Sequence, residues 1–216
     1  MKSDYLFLIY LAVAYLIGAI PTSIWVGKIF FKKDIRSMGS GNAGATNTYR
    51  AFGKTTAIIV LFIDISKGWS AVMLPYLLNR WLSVPLPVTY YIEYPEIILG
   101  LTAALGHVYP IYEKFKGGKG VATLFGAIIG MDYQIATICI VVFMLSFIFS
   151  RKISLSSMIA AITFTIAFLI FHAPYRIIDT LAIYMLPLLV IYTHRSNIKR
   201  LLKGEEPDFK FKKNKS

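Results

Sequence analysis

Three short stretches of the chain concentrate the side chains able to do chemistry. The first is GSGNAGATNTYR, Gly39 to Arg50. Glycines there allow tight turns and bring bare backbone close to a ligand. Ser40, Asn42, Thr46 and Asn47 add short polar donors, and Arg50 adds a planar fork suited to phosphate. The second is GHVYPIYEKFKGGKGVAT, Gly106 to Thr123, in which Lys116, Gly117, Gly118, Lys119 and Gly120 open an apolar helical run. A helix start behind a glycine turn favours anions, and lysines supply point charges. The third is THRSNIKRLLKGEE, Thr193 to Glu206, with His194 and Arg195 at its head. All three patterns suit the binding of anions, phosphate above all; a capped interhelical turn, a positive-inside lysine anchor and an interfacial amphipathic segment are their respective structural alternatives.

The first stretch contains Gly39, Gly41 and Gly44 in the G-x-G-x-x-G spacing of a dinucleotide loop, and Asp64 lies twenty residues further on. That loop needs a buried strand before it and a strand–helix–strand unit around it. Apolar helical runs flank it instead. A phosphate-loop reading of Gly53-Lys54-Thr55 fails because the partner position is Thr48, not glycine. The nucleotide is excluded, while the suitability for an anion remains.

The elements around these stretches are those of a membrane protein. Of 216 residues, 56% are hydrophobic and only 16% charged, with a net charge of +12. Soluble domains carry about 25% charged residues. Seven apolar runs follow one another: Tyr5 to Val26, Thr55 to Leu78, Ile97 to Tyr112, Val121 to Met131, Ile135 to Phe149, Leu155 to Phe171 and Ile177 to Tyr192. The alternation of a membrane barrel is missing, so helices are the expected spans. Several runs are shorter than the ~20 residues of an untilted crossing. With the N-terminus outside, segments 27–54, 113–120, 150–154 and 194–216 fall inside. They hold nearly all the lysines and arginines; Lys2, Arg80 and Arg176 fall outside. The bias sets the orientation and supports the count of seven transmembrane helices, with the C-terminus cytoplasmic. The fold class expected is an all-α membrane protein, residues 1–204. The basic tail 205–216 is expected to be mobile and to rest on anionic membrane lipids. The segment Asn79 to Glu96 reads as an external loop rich in tyrosine and proline.

All three polar stretches fall on the same side by this charge test, as one phosphate site would require. Asp64 and Lys67 sit within the second run, three residues apart, where they can pair with each other or meet substrate. His107 lies near the inner end of the third run. Ser157 could face the site, although a serine there also serves as an ordinary helix-start residue. His107, His172 and His194 show no ligand spacing with acids, so no metal is expected. Cys139 reads as a small apolar side chain.

The three stretches, in this order and spacing, resemble the signature motifs of the bacterial membrane acyl-phosphate:glycerol-3-phosphate acyltransferases. The resemblance runs from Tyr5 to Glu205. It implies transfer of a fatty acyl group from acyl phosphate to the 1-hydroxyl of glycerol-3-phosphate, giving lysophosphatidic acid and phosphate. That is the first step of phospholipid synthesis. It also implies the bacterial inner membrane, a cytoplasmic active site and no cofactor; nucleic acid has no part. By the motif match, Ser40, Thr46 and Arg50 belong to activity or phosphate binding. Lys119 and its glycines match the glycerol-3-phosphate motif, and His194, Arg195, Asn197 and Glu205 match the third. Ala43 stands where the family commonly has proline or valine.

Ser40 and His194 are the candidate catalytic residues. Gly41, Asn42, Asn47, Lys67, His107, Lys116, Gly117, Gly118 and Ser157 join the candidates for substrate binding. Acyl phosphate is an activated mixed anhydride, so direct transfer without a covalent enzyme intermediate is expected. His194 or the donor's own phosphate would take the hydroxyl proton. The other class open to this sequence is a membrane transporter of a phosphorylated metabolite.

Overall fold

The computed structural model describes residues 2–84, 92–172 and 176–209, with only the backbone of residues 2–4. The expected external loop therefore lies partly outside the described residues, at 85–91, as do residues 173–175 and 210–216.

The described chain is all helical. The first apolar run forms α1 (Lys2–Gly18) and α2 (Thr22–Phe30), broken at Ala19–Pro21. Pro21 offers no N–H and cannot continue the ladder. The carbonyl of Ile20 is served instead by Lys67 Nζ at 2.9 Å. After the first glycine stretch come α3 (Ala45–Phe52) and α4 (Lys54–Leu82), separated by Gly53 at φ +92°. The remaining helices are α5 (Pro95–Val108), α6 (Val121–Met131), α7 (Tyr133–Ser150), α8 (Ile153–Phe171), α9 (Ile177–Thr193) and α10 (Arg195–Leu202). Each of the seven apolar runs forms helix over most of its length.

Among the described residues, four stretches are long and apolar enough to cross a bilayer: Tyr5–Phe30, Lys54–Leu82, Tyr133–Ser150 and Ile153–Phe171. A fifth arises if α9 and α10, bent by 63° at His194, count as one. Helices α5 and α6 have 14 and 11 residues, which at ~1.5 Å per residue leaves both well short of a ~30 Å hydrocarbon core. They are held by packing. A Cβ on Gly68 of α4 would lie 1.8 Å from the Thr123 carbonyl oxygen, and one on Gly126 of α6 would lie 1.9 Å from that of Ile65. Only glycine allows these two backbones to touch, as small residues do where helices meet in lipid.

The apolar core runs between α5, α6, α7, α8 and α9. Ile97, Leu124, Ile135, Phe164, Phe168 and Ile183 are its buried members. The outside is equally apolar. Leu8, Phe62, Ile148, Phe149, Ile170, Leu181 and Leu188 are all exposed. Such a surface is stable only against lipid or another apolar phase.

Candidate active site

The glycine stretch before α3 is held open by one side chain. Asn47, fully buried, accepts the Ser40 N–H on Oδ1 at 2.9 Å. Its Nδ2 donates to the carbonyls of Met38 and Ile35 at 2.9 and 3.2 Å. Gly39 has φ +55°, and a Cβ there would meet Asn47 Oδ1 at 2.2 Å. Asparagine and glycine are therefore coupled: the amide replaces the hydrogen bonds that a helix or strand would supply. Ser40 and Arg50 stay exposed at the ends of this turn.

The second glycine stretch folds back onto the end of α5. The N–H groups of Gly117 and Gly118 donate to the carbonyls of Val108 and His107, each at 3.1 Å. A Cβ on Gly118 would strike His107 Nε2 at 2.1 Å and the Ala43 carbonyl oxygen at 2.6 Å. The two glycine turns thus touch at Gly118 and Ala43. A charged clasp joins them from the side. Buried Glu113 binds Lys28 Nζ at 2.8 Å and Arg36 Nη2 at 3.0 Å. Arg36 also pairs with Asp34 at 2.7 Å, and this guanidinium holds the Asp34 carboxyl below its ordinary range.

Lys119 follows the turn and reaches α10. Its Nζ donates to Asn197 Oδ1 in a short contact, and its carbonyl accepts from Thr193 Oγ1 at 3.2 Å. Asn197 Nδ2 in turn donates to Glu206 Oε1 at 2.6 Å. Glu206 collects two more donors, Ser154 Oγ at 2.6 Å and Arg200 Nε at 2.7 Å. Burial works against the charge on Glu206, yet these donors outweigh it and leave its pKa lowered. Burial brings Lys119 down to about 8, with Glu206 pulling upward and Arg200 and Arg50 downward. His194, at the bend past α9, donates from Nδ1 to the Val190 carbonyl at 2.8 Å, because a carbonyl can only accept. Burial and then the Lys119 charge bring its pKa to about 4, so the ring is neutral at pH 7 with its lone pair on Nε2. Arg195 lies over the Tyr192 ring at 4.7 Å.

Ser40, Arg50, His107, Gly118, Lys119, His194, Arg195, Asn197 and Glu206 line one cavity of about 990 Å³. One end is polar, with Ser40, Arg50, Lys119, His194, Arg195 and Asn197. The other is apolar, with Leu61, Leu124, Ile128, Ile140, Phe143 and Met144. Ile58 and Leu61 of α4 and Ile140 and Met144 of α7 are partly exposed lining residues, and the two helices scarcely touch. The apolar end therefore reaches the lipid-facing surface between α4 and α7. A site with this division suits a molecule with an anionic head and a hydrocarbon chain.

The model of the glycerol-3-phosphate acyltransferase family matches residues 8–204. This chain belongs to the glycerol-3-phosphate acyltransferase family. It is 44% identical over 203 residues to the glycerol-3-phosphate acyltransferase of Macrococcus caseolyticus, covering 94% of this chain and 97% of that one. It is 41% identical to that of Staphylococcus carnosus, covering 93% and 96%, and 40% identical to that of Staphylococcus aureus strain Newman, covering 94% and 98%. Among solved structures it resembles PlsY (YgiH), an integral membrane glycerol 3-phosphate acyltransferase. The glycerol 3-phosphate form aligns with a TM-score of 0.81 at 33% identity, covering 94% of this chain and 96% of that one. The lysophosphatidic acid form gives 0.78 at 32%, covering 94% and 95%.

With the family in place, most sequence candidates converge on the cavity, in differing capacities. Ser40, Gly41, Asn42, Thr46, Arg50, His107, Lys116, Gly117, Gly118, Lys119, Ser157, His194, Arg195 and Asn197 all line it. Asn47 lines it too, but its whole amide is spent on the loop backbone. The N–H groups of Gly117 and Gly118 serve the fold-back rather than an anion. Lys67 does not line the cavity. Its ammonium is buried at the α1–α2 break, bonded to the Ile20 carbonyl and, at 2.9 Å, to Asp64. Thr22 Oγ1 completes that cluster with a 3.0 Å bond to Asp64. Glu205 is exposed and does not line the cavity, whereas its neighbour Glu206 does. Part of the basic tail has partners in the fold. Glu206 to Phe209 pack against α7, α8 and α10, because Glu206 and Phe209 have partners there. The Glu113 clasp had no signal in the sequence beyond an isolated acid among lysines.

Proposed function

We propose that this protein transfers a fatty acyl group from acyl phosphate to the 1-hydroxyl of glycerol-3-phosphate, releasing lysophosphatidic acid and phosphate. One observation carries this reading: three cationic or glycine-rich turns converge on the polar end of a cavity whose other end is apolar and lipid-facing. The name shared by its relatives and the glycerol 3-phosphate and lysophosphatidic acid forms of PlsY support the acceptor and product. The donor is the one that the resemblance of the three motifs implies. A second phosphate-bearing substrate fits a site with Arg50, Lys119 and Arg195 around one space.

The transfer is direct. The acceptor hydroxyl oxygen attacks the acyl carbonyl carbon, the bond from that carbon to the phosphate oxygen breaks, and phosphate leaves with the electron pair. The hydroxyl proton passes to the leaving phosphate or to His194 Nε2, the unprotonated nitrogen of the neutral ring. Two anions must be held together, and the cations offset their repulsion and steady the developing oxyanion. Holding both in attack geometry can supply ~7–11 kcal/mol. The Lys119–Asn197–Glu206 chain orients the ammonium. Asn47 shapes the turn that presents Ser40. In the membrane the chain would have seven helical passes, α5 and α6 as short ones, N-terminus outside and the site facing the cytoplasm of a bacterial inner membrane.

The test is purified protein supplied with palmitoyl phosphate and glycerol-3-phosphate, following phosphate and 1-acylglycerol-3-phosphate together. Equal release of both is expected, with little product when acyl-CoA replaces acyl phosphate. Product from acyl-CoA at a comparable rate would remove the donor assignment. Labelled acyl group retained on denatured protein would remove direct transfer.

A further inference from the structure

The four residues Glu206 to Phe209 lie beyond the stretch matched by the family model and form a strap pinned at both ends. Glu206 fixes one end to α8 and α10. At the other end the Phe209 N–H donates to the Arg151 carbonyl at 2.8 Å, in the turn between α7 and α8. Asp208 pairs with Lys152 at 2.7 Å across the same turn. The Phe209 ring therefore has a defined place. It lies 5.1 Å from the ring of Tyr49 in α3 and 6.0 Å from that of Phe147 in α7. Glu206, Pro207 and Phe209 all line the cavity.

This position is the boundary between the two halves of the site. Tyr49 precedes Arg50 at the polar end, and Phe147 continues the apolar wall of Phe143 and Met144. Three aromatic rings in contact, from α3, the strap and α7, make an apolar lintel across that boundary. In a site that handles an acyl phosphate, the reacting carbonyl sits where head meets chain, which is where water is the competing nucleophile. Water would attack the same carbon and break the same bond to phosphate, giving free fatty acid and phosphate without any acceptor. We propose that Phe209 is a specificity-determining residue that keeps water from the acyl carbon, so that the acyl group goes to glycerol-3-phosphate rather than to hydrolysis. The inference rests on the acyl phosphate reading above. Exclusion of water from reactive intermediates is a general function of closed sites.

The experiment measures the ratio of free fatty acid to 1-acylglycerol-3-phosphate formed from palmitoyl phosphate by the full-length protein and by Phe209→Leu, Phe209→Val and Phe209→Ala. The ratio should rise as the side chain shrinks, by roughly tenfold in Phe209→Ala, while Phe209→Leu stays near wild type. A ratio unchanged within twofold across the series, with thermal melting showing folded protein, overturns the proposal even if overall rates fall. So does a Leu variant that leaks as much as the Ala variant. If Phe209→Ala does not fold, Leu and Val decide by the same ratio. Wild-type protein that forms no acylglycerol-3-phosphate from palmitoyl phosphate overturns the donor reading instead. Wild-type transfer with an unmoved ratio overturns the strap alone.

Discussion

Lys119 carries its charge in a half-buried place, and burial has lowered its pKa to about 8. Below that pH it is a cation beside the cavity, and above it the charge is lost. The Michaelis constant for glycerol-3-phosphate should therefore climb about tenfold per pH unit above the pKa if this charge is essential. In Lys119→Arg, which cannot be deprotonated in this range, the climb should vanish even if activity is lower. Steady-state kinetics from pH 6.5 to 9.5 test this; equal climbs in both proteins would deny Lys119 the role. The neighbouring acids give a second contrast. Glu206 holds Ser154, Asn197 and Arg200 together, whereas Glu205 is exposed. Glu206→Ala should lower stability by ~2 kcal/mol, and Glu205→Ala by no more than ~0.5 kcal/mol. Thermal melting in detergent separates them. Because the folded-state pKa of Glu206 is lowered, its contribution is present above the ordinary carboxylate range and lost as pH falls through the folded value.

At the scale of elements, the site depends on turns rather than on helices. Gly118 is the contact between the two glycine turns, with His107 Nε2 and the Ala43 carbonyl where a Cβ would stand. Gly118→Ala has to push those turns apart. A displacement of about an ångström from productive geometry can cost ~10²-fold, so kcat/KM should fall by that order, with a lower melting temperature from the overpacking. An unaltered kcat/KM in Gly118→Ala would show that the turns are not in catalytic register. The Glu113 clasp to Lys28 and Arg36 works on the same turns from outside the cavity. The break between α1 and α2 explains Asp64 and Lys67 in the same terms. Pro21 interrupts the helix, and a buried ion pair takes over its backbone group.

For the whole molecule, orientation is the property to measure. In a Cys139→Ala background, Lys203→Cys and Asn79→Cys place single thiols at exposed positions near α10 and at the far end of α4. A membrane-impermeant maleimide should label Asn79→Cys in intact cells and Lys203→Cys only in inverted vesicles. The reverse pattern would turn the site outward. Labelling of both from one side would break the proposed pass count between α4 and α10. The lateral opening between α4 and α7 belongs to this scale too, since it gives a hydrocarbon chain a route from the bilayer to the polar end.

The sequence by itself determined the solvent and the elements. Apolar runs of helical length need lipid, and lysines and arginines gathered in alternate loops set the direction expected of them. It also offered an anion-binding chemistry for the three turns, whose glycines, asparagines and serines are ordinary turn residues too, and the order of the three stretches pointed to the family. Tertiary structure decided which of those side chains meet the cavity and which hold it up. Asn47 and Lys67 look like ligands in sequence but have their polar atoms engaged in space, Asn47 by backbone and Lys67 by the Ile20 carbonyl and Asp64. Glu206 and Glu205 are adjacent identical acids, and only the donors that α8 and α10 bring to Glu206 tell them apart. Phe209 and Glu113 could not be read at all, because their partners lie far away along the chain. Helix and turn are written in neighbours; hydrogen-bond satisfaction is a property of what the whole fold brings near.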